Sequence, residues 1–186
     1  FGGYDGACDR ETWEWDGATW TRVATTGPSP RYYHAMTYDA QRGVTVLFGG
    51  YDGSGDSETW EWDGATWTLV ATTGPSPRLH HAMAYDTQRG VTVLFGGFDG
   101  PKDGETWEWD GATWMLAATT GPSPRLWHAM AYDAQRGVTV LFGGETFEYD
   151  RETWEWNGSA WTRVAITGPS GRVYHALAYD AQRGVT

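Results

Sequence analysis

The chain has 186 residues, with 13 Lys plus Arg against 24 Asp plus Glu and a formal net charge of −11. Such a balance excludes a general nucleic-acid or anionic-membrane surface and favours neutral or cationic partners. Cys8 is the single cysteine, so there is no internal disulfide framework. No apolar run approaches the roughly 18 residues of a membrane-spanning helix, and no signal-peptide pattern is visible in a chain that begins at Phe1 rather than Met. Aromatics make up 16% of the residues, 13 of them tryptophan, enough large rings to bury a stable core.

From Phe1 a Gly/Asp loop, Tyr4 to Arg10, leads into Glu11-Thr12-Trp13-Glu14-Trp15, a block that returns at Glu58, Glu105 and Glu152, each step being 47 residues. Arg31, Arg78, Arg125 and Arg172 keep that step, as do His34, His81, His128 and His175. The run Gly43-Val44-Thr45-Val46-Leu47-Phe48-Gly49-Gly50 recurs as 90–97 and 137–144, and its broken halves are the chain ends, Phe1-Gly2-Gly3 and Gly184-Val185-Thr186. The chain therefore divides into units 1–47, 48–94, 95–141 and 142–186, forming a single repeat domain. The second and third units differ at only 8 of 47 positions, which points to recent duplication or to design.

Each unit predicts four short strands. In His81-Ala82-Met83-Ala84-Tyr85 large and small side chains alternate, placing Ala82 and Ala84 on one face where another surface can approach closely. Asp86 to Gly90 is a five-residue connection whose glycine can take positive φ. Val91 to Phe95, β-branched and apolar throughout, suits a strand covered on both faces. Glu105 to Trp109 puts Trp107 and Trp109 on one face and Thr106 and Glu108 on the other, and Asp110-Gly111 signals a hairpin into Thr113 to Ala118. Thr119 to Pro124 cannot continue a ladder, so it connects to the next unit. In the fourth unit Glu145 to Asp150 echoes Glu152 to Asn157, and the second segment is the expected third strand because it keeps the register.

Four antiparallel strands per 47 residues, with no helix-period segment, specify an all-β fold, a β-propeller with four blades per chain. A β-solenoid is the competitor, but its coils are usually shorter and its strands parallel.

These residues resemble the kelch repeat. Val46-Leu47-Phe48-Gly49-Gly50 matches that family's apolar run and glycine doublet, Trp62-Asp63 stands where the family usually has Tyr-Asp, and Trp67 matches its later tryptophan. Gly96, Gly97, Trp109 and Trp114 repeat the pattern, then Gly143, Gly144, Trp156 and Trp161, so the resemblance covers the chain. It implies a ring of six or seven blades, whereas this chain supplies four units. Joining Thr186 to Phe1 restores the repeat with only Val-Leu missing. The expectation is a homodimer in which the split terminal blades pair to make an eight-bladed ring. Blades then turn by about 45°, against about 90° in a closed four-blade monomer; that monomer and a fragment of a longer array are the alternatives.

Function is sought where the units differ. They differ in the loop between strands two and three (4–10, 51–57, 98–104 and 145–151) and in the pair between Arg and His (Tyr32-Tyr33, Leu79-His80, Leu126-Trp127, Val173-Tyr174). In an up-and-down blade the strand 2–3 and strand 4–1 loops emerge on one face, so both places form one rim, and loops on a rigid scaffold commonly carry binding. The rim candidates are Tyr4, Asp5, Arg10, Arg31, Tyr32, Tyr33, Tyr51, Asp52, Arg78, His80, Phe98, Lys102, Arg125, Trp127, Arg172 and Tyr174. The same variation would also arise from relaxed constraint on exposed loops.

The repeated arginines could form a basic ring for a carboxylate, although pairing with Glu14, Glu61, Glu108 and Glu155 is the favoured expectation for charges under the next blade. The histidines are expected to pack or hydrogen-bond between blades rather than bind a metal. Asp5, Asp9, Asp52, Asp56, Asp99 and Asp103 lack the spacing of a calcium loop. Kelch-like propellers include copper oxidases and sugar mutarotases, but an oxidase needs a Cys-Tyr cofactor with His ligands, and one cysteine in a variable loop is thin support. No Ser/His/Asp order or clustered acid pair stands out. The sequence therefore predicts a non-enzymatic binding or scaffold module, without metal or cofactor, that recognises a protein or peptide on this rim. A carbohydrate-binding propeller is the alternative, because tryptophan and tyrosine stack on sugar rings, and a kelch-like enzyme ranks last.

Overall fold

The computed structural model describes all 186 residues, and every regular element is a strand. β1 (Thr12–Trp15) and β2 (Trp20–Ala24) form a two-stranded sheet. Three four-stranded antiparallel sheets follow in sequence order: β3 (Ala35–Asp39), β4 (Val44–Phe48), β5 (Thr59–Trp62), β6 (Trp67–Ala71); β7 (Ala82–Asp86), β8 (Val91–Phe95), β9 (Thr106–Trp109), β10 (Trp114–Ala118); and β11 (Ala129–Asp133), β12 (Val138–Phe142), β13 (Thr153–Trp156), β14 (Trp161–Ala165). Neighbours in sequence pair throughout, as in the blades of a propeller. β13 uses the second of the two competing segments of the fourth unit, and residues 145–150 form a loop closed by a bridge between Glu145 and Tyr149.

The turns follow from side-chain chemistry. Gly90 ends the strand 1–2 connection at φ 69°, while the Asp86 carboxylate accepts the N–H groups of Gln88 and Arg89, each at 3.0 Å. Asp110-Gly111 opens a loop of four residues rather than a two-residue turn, because Asp110 Oδ1 accepts the N–H groups of Ala112 and Thr113 at 2.8 and 2.7 Å.

Blades are held together by tryptophan. The indole N–H of Trp109 donates to Glu61 Oε1 of the preceding blade at 3.1 Å, and that of Trp114 to Thr59 Oγ1 at 2.8 Å. One repeat on, Trp156 donates to Glu108 at 2.8 Å and Trp161 to Thr106 at 2.7 Å; one repeat back, Trp62 and Trp67 donate to Glu14 and Thr12. This is the consequence of strand alternation. The tryptophan face of each third strand looks backward, and its Thr/Glu face looks forward to receive the next blade. The rings themselves fill the core: Trp109 and Trp156 are each 1% exposed, packed with Phe48, Val93 and Phe95, which are fully buried.

The forward-facing glutamates meet a different cation from the one expected. Arg89 grips Glu108 with two bonds of 2.9 and 2.7 Å, Arg42 pairs with Glu61 at 2.7 Å, and Arg136 pairs with Glu155. The repeated Arg31 and Arg78 instead reach Asp56 and Asp103 at 2.9 Å, with Glu58 and Glu105 beside them, and Arg125 reaches Asp150 and Glu152. Proximity decides the matter: Arg31 starts a blade at the loop end, where the third strand also begins, whereas Arg42 lies at the opposite end beside Glu61.

The first strands of successive blades touch one another, β3 with β7 and β7 with β11, so they are innermost. Just ahead of them the repeated histidines press edge-on against phenylalanines of the preceding blade, His81 on Phe48 and His128 on Phe95, with ring centroids 5.6 Å apart. His175 also bonds the Phe142 carbonyl at 3.1 Å. No three His, Cys, Asp or Glu side chains converge as metal ligands.

The chain is an open arc. β1–β2 packs on the first complete blade through Trp62 and Trp67, residues 172–186 lie beyond the third, and no hydrogen bond joins these ends.

Two predictions follow from this packing. Trp109→Ala removes a buried ring and strands Glu61 without its indole donor, so chemical denaturation should show a loss of about 3–5 kcal/mol. Burial, and then the nearby N-terminus and Arg31, hold His34 down at about 4, while burial and Arg125 hold His128 at about 3. The unfolded chain, with histidine near 6.5, binds those protons first, so stability is complete above pH 6.5 and falls as pH drops toward 4. Each such histidine removes up to roughly 1.4 kcal/mol per pH unit in that window, and thermal unfolding between pH 7.5 and 4.5 should show a falling midpoint.

Candidate functional site

In each four-stranded sheet, the loop entering its first strand and the loop between its second and third strands are joined by backbone bonds. Tyr32 exchanges bonds with Tyr51 at 3.2 and 2.8 Å, Leu79 with Phe98 at 3.1 and 2.9 Å, and Leu126 with Glu145 at 3.3 and 2.9 Å. The strand 4–1 and strand 2–3 loops therefore share one face of the arc.

Glycine makes this approach possible. Gly50, at φ 100°, lies so close to Tyr32 and His34 that an added Cβ would sit 3.0 Å from the Tyr32 carbonyl oxygen and from His34 Cβ.

The second residue of each variable pair carries the least expected geometry. Tyr33, His80, Trp127 and Tyr174 have φ of 61°, 62°, 60° and 58°, and they are the only non-glycine residues with positive φ. Large side chains avoid that region, which costs roughly 1–2 kcal/mol per residue. Three of them are tied to the residue one blade back: His80 N–H donates to the Tyr33 carbonyl, Trp127 to His80 and Tyr174 to Trp127, at 3.1 to 3.2 Å, and Tyr33 opens the series as an acceptor. This backbone chain crosses from blade to blade. It stacks the side chains into one continuous arc, with centroid separations of 3.9 Å from Tyr33 to His80, 5.2 Å to Trp127 and 4.8 Å to Tyr174. Burial holds His80 near 4, so it enters the stack as a neutral ring. Tyr33 and Tyr174 are 48% and 69% exposed, and the Trp127 indole N–H is covered and unpaired.

Shallow grooves lie between adjacent loops. One of about 300 Å³ is lined by Tyr51, Pro77, Leu79, Phe98 and Asp99, and another of about 440 Å³ by Lys102, Ser123, Pro124, Thr146 and Phe147. Lys102 crosses its groove to bind Glu145 Oε1 at 2.9 Å and the Thr146 carbonyl. Phe147 stands free in solvent. Residues 146–150 copy the Thr-Trp-Glu-Trp pattern of a third strand, so the sequence carries no signal that Phe147 is exposed.

The remaining candidates divide into three groups. Tyr4, Tyr32 and Tyr51 form an aromatic cluster beside Tyr33, with Tyr32 centroids 5.4 Å from Tyr4, 5.5 Å from Tyr51 and 4.4 Å from Tyr33. Asp5 and Arg10 are exposed, and Asp52 accepts the Ser29 hydroxyl at 2.8 Å. The third group is a correction. Arg31, Arg78 and Arg125 are fully buried, bound to carboxylates and to the carbonyls of Gly49, Gly96 and Gly143, and reach no ligand. A guanidinium with no water must satisfy its donors within the fold. Arg172 differs, being exposed, with its guanidinium bonded only to Ser170.

No family model matches this chain, and no curated protein matches it. Solved structures do: 86 chains are similar. One of them, described as the structure of YjhT, superposes with a TM-score of 0.74 at 14% identity, covering 92% of this chain. The chain spans 63% of that protein's length. At this identity the likeness defines the fold alone: an all-β, propeller-like array of repeated four-stranded sheets.

The αL geometry predicts an unusual substitution pattern. Tyr33→Gly should leave stability within about 1 kcal/mol of the parent, since relief of strain offsets the lost stacking. Tyr33→Val should cost about 2 kcal/mol or more, because a β-branched side chain is least tolerated at that φ. Paired thermal melts check both.

Proposed function

We propose that this protein is a non-enzymatic, kelch-like binding module that recognises a protein or peptide on the loop face of the arc. The observation that carries this reading is the stack of Tyr33, His80, Trp127 and Tyr174, each in strained backbone. Strain repeated at four equivalent positions, in residues that otherwise vary, fits a ligand surface better than relaxed loops. Rigid aromatic rings contribute contact area at small entropic cost, and inter-loop grooves flank them. The net charge of −11 favours a neutral or basic segment.

A carbohydrate is the second reading, supported by the exposed edges of Tyr33 and Tyr174 beside Trp127, on which sugar rings could stack. Peptide and glycan arrays probed in parallel separate the two. Binding to basic or aromatic-rich peptides, weakened at least tenfold by Tyr33→Ala/Trp127→Ala/Tyr174→Ala, is the expected outcome. A hit that this triple variant leaves unchanged would move the site away from the arc.

A further inference from the structure

Three successive connections between sheets carry the same Ser-Pro-Arg sequence, starting at Ser29, Ser76 and Ser123, and the first two are locked alike. The Ser29 hydroxyl donates to Asp52 at 2.8 Å and that of Ser76 to Asp99 at 2.7 Å, while Arg31 and Arg78 donate to the same hydroxyls at 2.8 and 2.9 Å. The repeat thus defines a place for a carboxylate over each serine.

The third connection breaks the rule. Thr146 stands where the earlier loops have Asp52 and Asp99, and its hydroxyl turns to the Glu148 carbonyl at 3.4 Å. Ser123 is exposed, and its hydroxyl bonds neither a carboxylate nor Arg125. The same exchange releases a second donor: Asp5 and Asp52 accept the N–H groups of Ala7 and Ser54 at 3.3 Å, whereas the corresponding Glu148 N–H makes no hydrogen bond. A cation arrives at the same place. Lys102, the only lysine of the chain, occupies the position of Gly55, and with Ser123, Pro124, Thr146 and Phe147 it lines the groove of about 440 Å³. Glu145 and the Thr146 carbonyl take two of its three N–H donors, which leaves one. Phe147 replaces Gly53 and Gly100 at the loop tip, and its ring is wholly exposed at the edge of the groove.

We propose that this groove binds a carboxylate of a peptide, whose oxygens take the role of the aspartate in the other two connections and accept from Ser123 and Lys102, while an adjacent apolar side chain lies on Phe147. This rests on the peptide reading above and names what that peptide must present. An ionised carboxylate offers acceptors only, and the free groups here are donors. At the other two serines the same spot already holds Asp52 or Asp99, which repel a second carboxylate. The rest of the segment is neutral or basic, in keeping with the net charge of −11. An Asp or Glu side chain and a C-terminus supply the same chemistry, and the test separates them.

The first probe is phenylacetate, titrated at millimolar concentration against the full chain by NMR, with phenylacetamide as control and Thr146→Asp and Lys102→Met as variants. Thr146→Asp restores the aspartate of the earlier loops, so it should keep the thermal midpoint of the parent and fill the place itself. The acid should shift the signals of Ser123 and residues 145–148 and bind at least tenfold tighter than the amide, and both variants should remove that margin. Acetyl-Ala-Ala-Phe as acid and as amide, and amidated acetyl-Ala-Glu-Phe-Ala beside its Gln form, then show whether a C-terminus or a side chain supplies the carboxylate. Absence of phenylacetate binding, or binding that Thr146→Asp leaves unchanged, would overturn the proposal. Peptides that bind equally with and without their carboxylate would also overturn it while leaving the peptide reading intact. Phenylacetate binding with no response to any peptide would overturn the peptide reading and leave the carboxylate site standing.

Discussion

Everything in this fold rests on one contact repeated between blades: an indole N–H from one sheet donating to a Glu or Thr on the sheet before it. A tryptophan ring is large enough to fill the space between two twisted sheets, and its single donor must be satisfied when buried. Strand alternation solves both needs. Trp62, Trp109 and Trp156 face backward, while Glu14, Glu61 and Glu108 face forward to receive them. A glutamate buried under the next blade would be costly if left alone, and the arginine of the strand 1–2 turn neutralises it, as Arg89 does for Glu108. Core, polar network and blade stacking are therefore one device.

The architecture was legible because the chain repeats it with nothing inserted. The 47-residue step, the apolar second strand and the split tryptophan face predict β7 to β10 almost residue for residue. Partner choice was not legible in the same way. Arg31 and Glu61 both recur in every unit, so periodicity cannot say which cation meets which anion. The structure pairs Arg31 with Asp56 and Arg42 with Glu61 because these lie at opposite ends of the blade. The indole bonds link residues 48 and 55 apart, one period plus a small offset. That offset depends on how blades sit against each other, a tertiary quantity with no local signal.

The loop face shows the same division. That the variable segments share one face followed from counting strands, and the Leu79 to Phe98 ladder shows how closely they approach. The positive φ of Tyr33, His80, Trp127 and Tyr174 had no signature, since aromatic residues ordinarily avoid it. For His80, Trp127 and Tyr174, what holds them there is the carbonyl of the equivalent residue one blade back. A fold that spends strain on four adjacent aromatic side chains also sets their spacing, and so the shape of ligand they can meet. The buried arginines are internal ties, as the repeated charges suggested, but their partners are Asp56, Asp103 and Asp150 rather than the third-strand glutamates.

The measurement that bears most directly on this account is hydrogen exchange of the indole N–H groups, resolved by NMR. If tryptophan donors hold the blades together, Trp62, Trp67, Trp109, Trp114, Trp156 and Trp161 should exchange only with global unfolding, while Trp13, whose bond to Glu11 is exposed, should exchange fast. Equal, rapid exchange for the six and for Trp13 would contradict the account, because the joints would then be open to water.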